Sequence, residues 1–167
     1  EDGDGDPDDY RNGGLQAAAA RCVTLSKLHG PFDAYISSHY NGGASPGFHA
    51  IFPDSPSGGV DIKGNNPLDV RLCRAIRDRV KATNTVRMLS WTKDSPGVMS
   101  ERETGVGAKG HRLGEFVGTI GFRDTTARVI IEASSIDVAS EAKYINDPKW
   151  VRDVYAEAVV DALEDVF

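Results

Sequence analysis

The sequence predicts a single α/β domain, built on one twisted, mostly parallel or mixed sheet flanked by helices. Three observations carry that expectation. Amphipathic helical stretches alternate along the chain with short β-branched runs. One of those runs, ARVIIE, is apolar on successive rather than alternate positions, as in a strand buried on both faces. The chain has 167 residues, 40% of them hydrophobic and 26% charged, enough for one domain with a sizeable core.

Residues 1–14, EDGDGDPDDYRNGG, are too polar and too rich in Gly and Asp to hold a buried element and read as an acidic exposed loop. The spacing of Asp2, Asp4 and Asp6 is that of a calcium loop. An EF-hand started there would need Gly and Glu where the chain has Pro7 and Gly13, so calcium is not expected. The domain proper then spans 15–167. From Leu15 to Leu28, Leu15, Ala18, Ala19, Cys22, Leu25 and Leu28 recur at one-face helical spacing until Gly30-Pro31 ends the helix. DAYIS is a strand leading to His39, and Phe48 to Phe52 is a second strand, bounded by Gly and Pro and apolar apart from His49.

Residues 53–65 are a Pro/Gly/Ser-rich loop. Asn66-Pro67 starts a helix, with a capping side chain before a proline at the first helical position, and Leu68, Leu72, Ala75, Ile76 and Val80 mark its buried face to about Ala82. Val86 to Trp91 fits a short strand, and DSPGVMSERETGVGAKG a long exposed loop. Phe116 to Phe122 and Arg128 to Glu132 read as strands. Asp147-Pro148 opens a last helix with Val151, Val154, Tyr155, Ala158, Ala162 and Val166 on one side.

The net charge of −6 is local. Six acids (Glu1, Asp2, Asp4, Asp6, Asp8, Asp9) crowd the first ten positions, and the remainder of the chain holds 19 acids against 19 bases. With no basic stripe, the footprint for a nucleic-acid backbone is missing, and none is expected as a partner. Cys22 and Cys73 lack metal-ligand spacing and sit on the apolar stripes of two helices, which predicts two buried free thiols. No apolar run approaches the length of a membrane span.

Two motif matches fail on context. Gly43-Ala44-Ser45-Pro46-Gly47 satisfies G-x-S-x-G, yet Pro46 lacks the backbone N–H that an oxyanion hole needs there, and the segment leads into a strand rather than a helix. A serine hydrolase built on Ser45 is therefore a weak rival. Gly105 to Gly110 satisfies G-x-G-x-x-G but follows the polar SERET and precedes a strand, so no phosphate cradle is expected; a flexible loop beside a substrate groove suits it better.

His39 differs. Ser37, His39 and Asn41 fall at period two, so their side chains share a face where the strand ends, and ligands of α/β sheets bind beyond such ends. Glu132 ends the other β-branched strand, and an ionised carboxylate after so apolar a run is costly unless it is paired or faces a solvated site. The residues alone leave two readings open. One is a core histidine with a satisfied hydrogen bond beside an ion-paired or helix-capping glutamate; the other is an imidazole and a carboxylate presented to one cleft.

The order of these pieces resembles the zinc-dependent N-acetylmuramoyl-L-alanine amidases of the peptidoglycan amidase-3 family. DAYISSHYN is similar to the family's strand ending S-x-H-x-N, Gly47 to Phe52 to its next short strand, ARVIIEASSID to its strand ending in a catalytic glutamate, and KYINDPKW to the approach to its closing helix. Arg21 also fits an arginine usual in the first helix, and the resemblance covers nearly all of 15–167.

It implies that His39 is a zinc ligand, Glu132 the catalytic acid/base and Asn41 a substrate-binding residue. The implied substrate is peptidoglycan, cut at the amide between N-acetylmuramic acid and the L-alanine of the stem peptide. The implied setting is a monomer that is secreted, periplasmic or at the cell wall, or a phage-encoded lysin acting on a host wall.

The same resemblance implies that the family's first strand, helix and strand, with its other two zinc ligands, lie before Glu1, since His29, His49 and His111 do not match those positions. A second departure is Ala133 to Asp137, where the family usually has Gly, an aromatic and Asn; it bears on stem-peptide selectivity. The alternative is a catalytically silent wall-binding or regulatory module of the same fold.

Overall fold

The computed structural model describes residues 14–42, 46–54, 66–90 and 96–167. Their order is α1 (Gly14–His29), β1 (Ala34–Asn41), β2 (His49–Phe52), α2 (Pro67–Ala82), β3 (Val98–Ser100), α3 (Gly114–Gly118), β4 (Ala127–Ser135) and α4 (Ala139–Ile145). The closing helix begins as α5 (Pro148–Trp150), passes through a π-helical turn (Val151–Ala156) and ends as α6 (Glu157–Val166). The architecture is the expected α/β one: four strands in the order β1-β4-β2-β3 make one mixed sheet. β4 is parallel to β1 and antiparallel to β2, and β2 is parallel to β3. No helix among the described residues is long and apolar enough to cross a membrane.

Alternation along β4 explains why ARVIIE carries no polar face. Ala127, Val129, Ile131 and Ala133 enter a large core shared with Phe48, Leu72, Ile76 and the closing helix, whereas Ile130 joins Ile51, Met99, Leu89 and Phe116 on the opposite side. Glu132 has the parity of Ile130, so the strand delivers its carboxylate to the face with the smaller cluster. The helix starts are also as expected. The Asn66 side chain accepts from Leu68 N at 3.0 Å, and Asp147 accepts from Lys149 N and Trp150 N, each just before a proline.

Four expectations are corrected. The stretch read as a strand from Phe116 is instead the short helix α3 followed by turns. Phe116 and Thr119 are both fully buried, three apart, and a Cβ at Gly118 would meet the Gln16 carbonyl oxygen at 2.3 Å, so glycine lets α3 press onto α1.

The buried face of α1 is consequently Ala19, Val23 and Ser26, whereas Leu25 and Leu28 are 46% and 72% exposed. Cys22 lies one position off that face and is half-buried, while Cys73 is buried; both are free thiols.

The segment read as a long exposed loop contains β3, all three residues of which are buried, followed by the fully buried Glu101. Three residues are too few to show a strand period. The strand expected from Val86 is reduced to one bridge between Met88 and Phe48.

The acidic segment at 1–13, Gly43 to Ser45, Trp91 and most of the loop at 53–65 lie outside the described residues.

Candidate active site

Three titratable side chains form a row across the sheet. Register pairs His39 of β1 with Glu132 of β4, and Glu132 in turn with His49 of β2, so all three point to the same face. Immediately beyond, the β1–β4 register shifts, with Asn41 paired to Ser135, a bulge of the kind that re-aims side chains at a strand end. Glu132, Asn41 and His49 line a cleft of about 730 Å³. Its far wall comes from the turn after β3, with Thr104, Lys109 and His111, and its apolar floor includes Ile51 and Met99.

Each member of the row has a distinct electrostatic setting. Burial pushes the Glu132 carboxyl up to about 7, an effect that His39 opposes and Glu115 reinforces. Its Oε2 is buried and has no hydrogen-bond partner among the described residues. Such an orphaned oxygen fits a site that receives a proton, a water or a ligand donor. His49 is buried, which pulls its imidazole down to about 4 against a weak contact to the Gly47 carbonyl at 3.4 Å; it is neutral at neutral pH. His39 is more open, and its Nε2 lies 2.7 Å from Ser37 Oγ and 3.1 Å from Glu115 Oε1.

Glu115 was not singled out from the sequence. It sits in the first turn of α3 and is buried; desolvation is the largest single influence and raises its carboxyl, but the hydrogen bond from His39, a backbone hydrogen bond and the charge of His39 together outweigh it and leave the carboxyl below the usual range. Mistaking α3 for a strand hid it, since only a helix turned this way sends residue 115 back toward β1. Glu141 was missed too. Its buried carboxylate accepts from Gly47 N at 2.9 Å, Ser135 N at 3.1 Å and Arg87 Nε at 2.9 Å, tying the entry to β2 to the end of β4. Gly47 leaves this clamp with φ +112° and its backbone against Met88 and Leu89, so only glycine fits. Gly47 leads into β2, not into a helix, which is not the topology of a nucleophile elbow.

The 105–110 glycine motif does border the cleft, but as a braced turn. Gly107 has no room for a Cβ, which would meet the Glu101 carbonyl oxygen at 1.9 Å. As a metal site the arrangement fits only in part. His39 and Glu115 offer a nitrogen and a carboxylate side by side, yet no group of three His, Cys, Asp or Glu among the described residues could hold an ion.

No protein-family model matches the chain, and no curated protein matches it either. Solved structures do. The N-acetylmuramyl-L-alanine amidase Ami1 from Mycobacterium smegmatis superposes with a TM-score of 0.62 at 17% identity, covering 91% of this chain and 59% of that one. The apo form of the N-acetylmuramyl-L-alanine amidase Ami1 from Mycobacterium abscessus gives 0.61 at 20% identity, covering 89% and 60%. At these identities the likeness establishes the fold, and this chain spans about 60% of the length of those structures.

Proposed function

We propose that this chain belongs to a peptidoglycan hydrolase that cleaves the amide between N-acetylmuramic acid and the L-alanine of the stem peptide. The observation that carries the reading is the orphaned, proton-retaining carboxyl of Glu132, set in register between two imidazoles at the end of a cleft. A fold shared with two N-acetylmuramyl-L-alanine amidases supports it.

Amide hydrolysis requires a base for the attacking water and an acid for the departing amine. A carboxyl titrating near 7 is matched to both. Glu132 takes a proton as the water oxygen bonds to the carbonyl carbon, and returns it to the alanine nitrogen as the C–N bond breaks; the products are the muramic carboxyl and a free amine. Glu132 would act here as catalytic acid/base, with Asn41 at the cleft edge holding substrate.

The zinc part of the reading rests on the resemblance. His39 would be one protein ligand, with Glu115 within reach to hold its ring or share the ion; a bound zinc would supply a Lewis acid and an activated water. Since the described donors are incomplete, the proton transfers above are assigned to Glu132 alone. Acting on peptidoglycan would place the protein outside the cytoplasm, at the wall, or in a phage lysin.

The test is paired. His39→Ala should lower bound zinc, measured by metal analysis after dialysis, whereas Glu132→Ala should keep zinc and lose turnover of purified muropeptides. Full turnover in Glu132→Ala would remove the assignment.

A further inference from the structure

Across the cleft from Glu132 stands a turn whose rigidity is built into the fold. Glu101 is fully buried. Its carboxylate accepts from Arg112 Nε at 2.9 Å and Leu113 N at 2.7 Å, gripping the far end of the turn. Its backbone carbonyl accepts from Thr104 Oγ1 at 2.7 Å, and that oxygen in turn accepts from Gly107 N at 2.9 Å. Further backbone bonds close the turn on itself, Lys109 N and His111 N both donating to the Val106 carbonyl. The outcome of all this bracing is that two exposed side chains, Lys109 and His111, are held on the cleft wall.

Lys109 is the one lining side chain among the described residues with a fixed positive charge, and the floor between it and Glu132 is aliphatic, from Ile51, Met99 and Leu113. A cleft of about 730 Å³ has the size of a site for a small ligand or a few residues of peptide. We infer that this wall is a carboxylate subsite, in which Lys109, assisted by His111, binds the free α-carboxylate of the acidic second residue of the stem peptide while the floor takes the neighbouring alanyl methyl and methylenes. The inference rests on the amidase reading of the same cleft. It adds the substrate class: stem peptides with an ionised, not amidated, second residue. Bracing by Glu101 fixes the backbone that carries Lys109, so the ordering cost on binding is confined to the side chain itself and the discrimination should be felt in affinity.

The experiment uses two soluble probes with the full chain, N-acetylmuramyl-L-alanyl-D-glutamate with its γ-carboxyl blocked as the methylamide, and the same compound with the α-carboxylate amidated as well, so that the α-carboxylate is the one charge that differs. Isothermal titration gives Kd for each, and cleavage gives kcat and KM. The expected result is a Kd about fivefold to tenfold lower for the free carboxylate, the size of one charge-assisted hydrogen bond at a partly exposed site. Lys109→Met should erase that ratio, and Lys109→Arg should restore most of it. Equal Kd values in the unmodified chain, or a ratio that survives in Lys109→Met, would overturn the subsite. If neither probe is cleaved but the Lys109-dependent ratio is present, the subsite stands and the hydrolase reading falls.

Discussion

His39 and Glu132 are register partners across the parallel β1–β4 pair, and the same glutamate is the register partner of His49 across the antiparallel β4–β2 pair. One carboxylate thus stands between an open imidazole and a buried one. The open imidazole has a second carboxylate, Glu115, against it, which leaves Glu132 as the member of the row with an orphaned oxygen. This division of labour sets the pH behaviour of the site.

In the proposed hydrolysis Glu132 must be ionised to accept a proton from water. With its carboxyl raised to about 7, kcat/KM on a muropeptide should climb as pH rises through about 7 and then level. Glu132→Gln should remove that limb together with about 10²-fold or more of the rate. A limb that persists in the glutamine variant would assign it to another group.

His49 predicts an acid sensitivity of the fold itself. Its folded value, about 4, lies below the unfolded 6.5, so its contribution to stability is complete above 6.5 and is lost as pH falls toward 4. The full loss is on the order of 3 kcal/mol. Urea midpoints at pH 7 and pH 4.5 should therefore differ less in His49→Gln than in the unmodified chain.

Glu101 pairs with Arg112, whose side chain is only 10% exposed, so Glu101→Gln removes the negative charge held against a buried guanidinium. A loss of about 3 kcal/mol is expected, read as a shift in chemical-denaturation midpoint. A loss below about 1 kcal/mol would mean that water reaches Arg112 and the brace is weaker than its geometry.

Gly118→Ala tests the α1–α3 contact. The added methyl has backbone at 2.3 Å and Ala19 Cβ at 2.7 Å, so a cost of about 1–3 kcal/mol is expected, whereas Gly105→Ala, which meets nothing within 4 Å, should be near neutral. Comparable melting temperatures for the two variants would contradict the close packing.

The fold class, and the strand ends that carry His39 and Glu132, could be read from the chain because their signals are local. A β-branched run, a period of two and an Asn-Pro cap each need only a few neighbouring residues, and they located β1, β4, α2, His39 and Glu132. What escaped depends on contacts distant in sequence. The buried face of α1 is chosen by Gly118 of α3, nearly a hundred residues on, and β3 is a strand because β2 lies beside it. Glu115 and Glu141 look like surface acids in sequence; only the folded chain brings them to His39 and to the Gly47 amide. Leu25 and Leu28 show the converse, since the periodic apolar stripe held at Ala19 but ran off the buried side toward its end, on a helix whose tightest contact is made by small residues.

The most direct measurement is mass spectrometry of the products when the purified chain meets a defined N-acetylmuramyl peptide. The account predicts a free stem peptide with an L-alanine amino terminus and a muramic carboxyl, with both absent when Glu132→Gln is used at equal fold stability. Equal product yield from Glu132→Gln would contradict it.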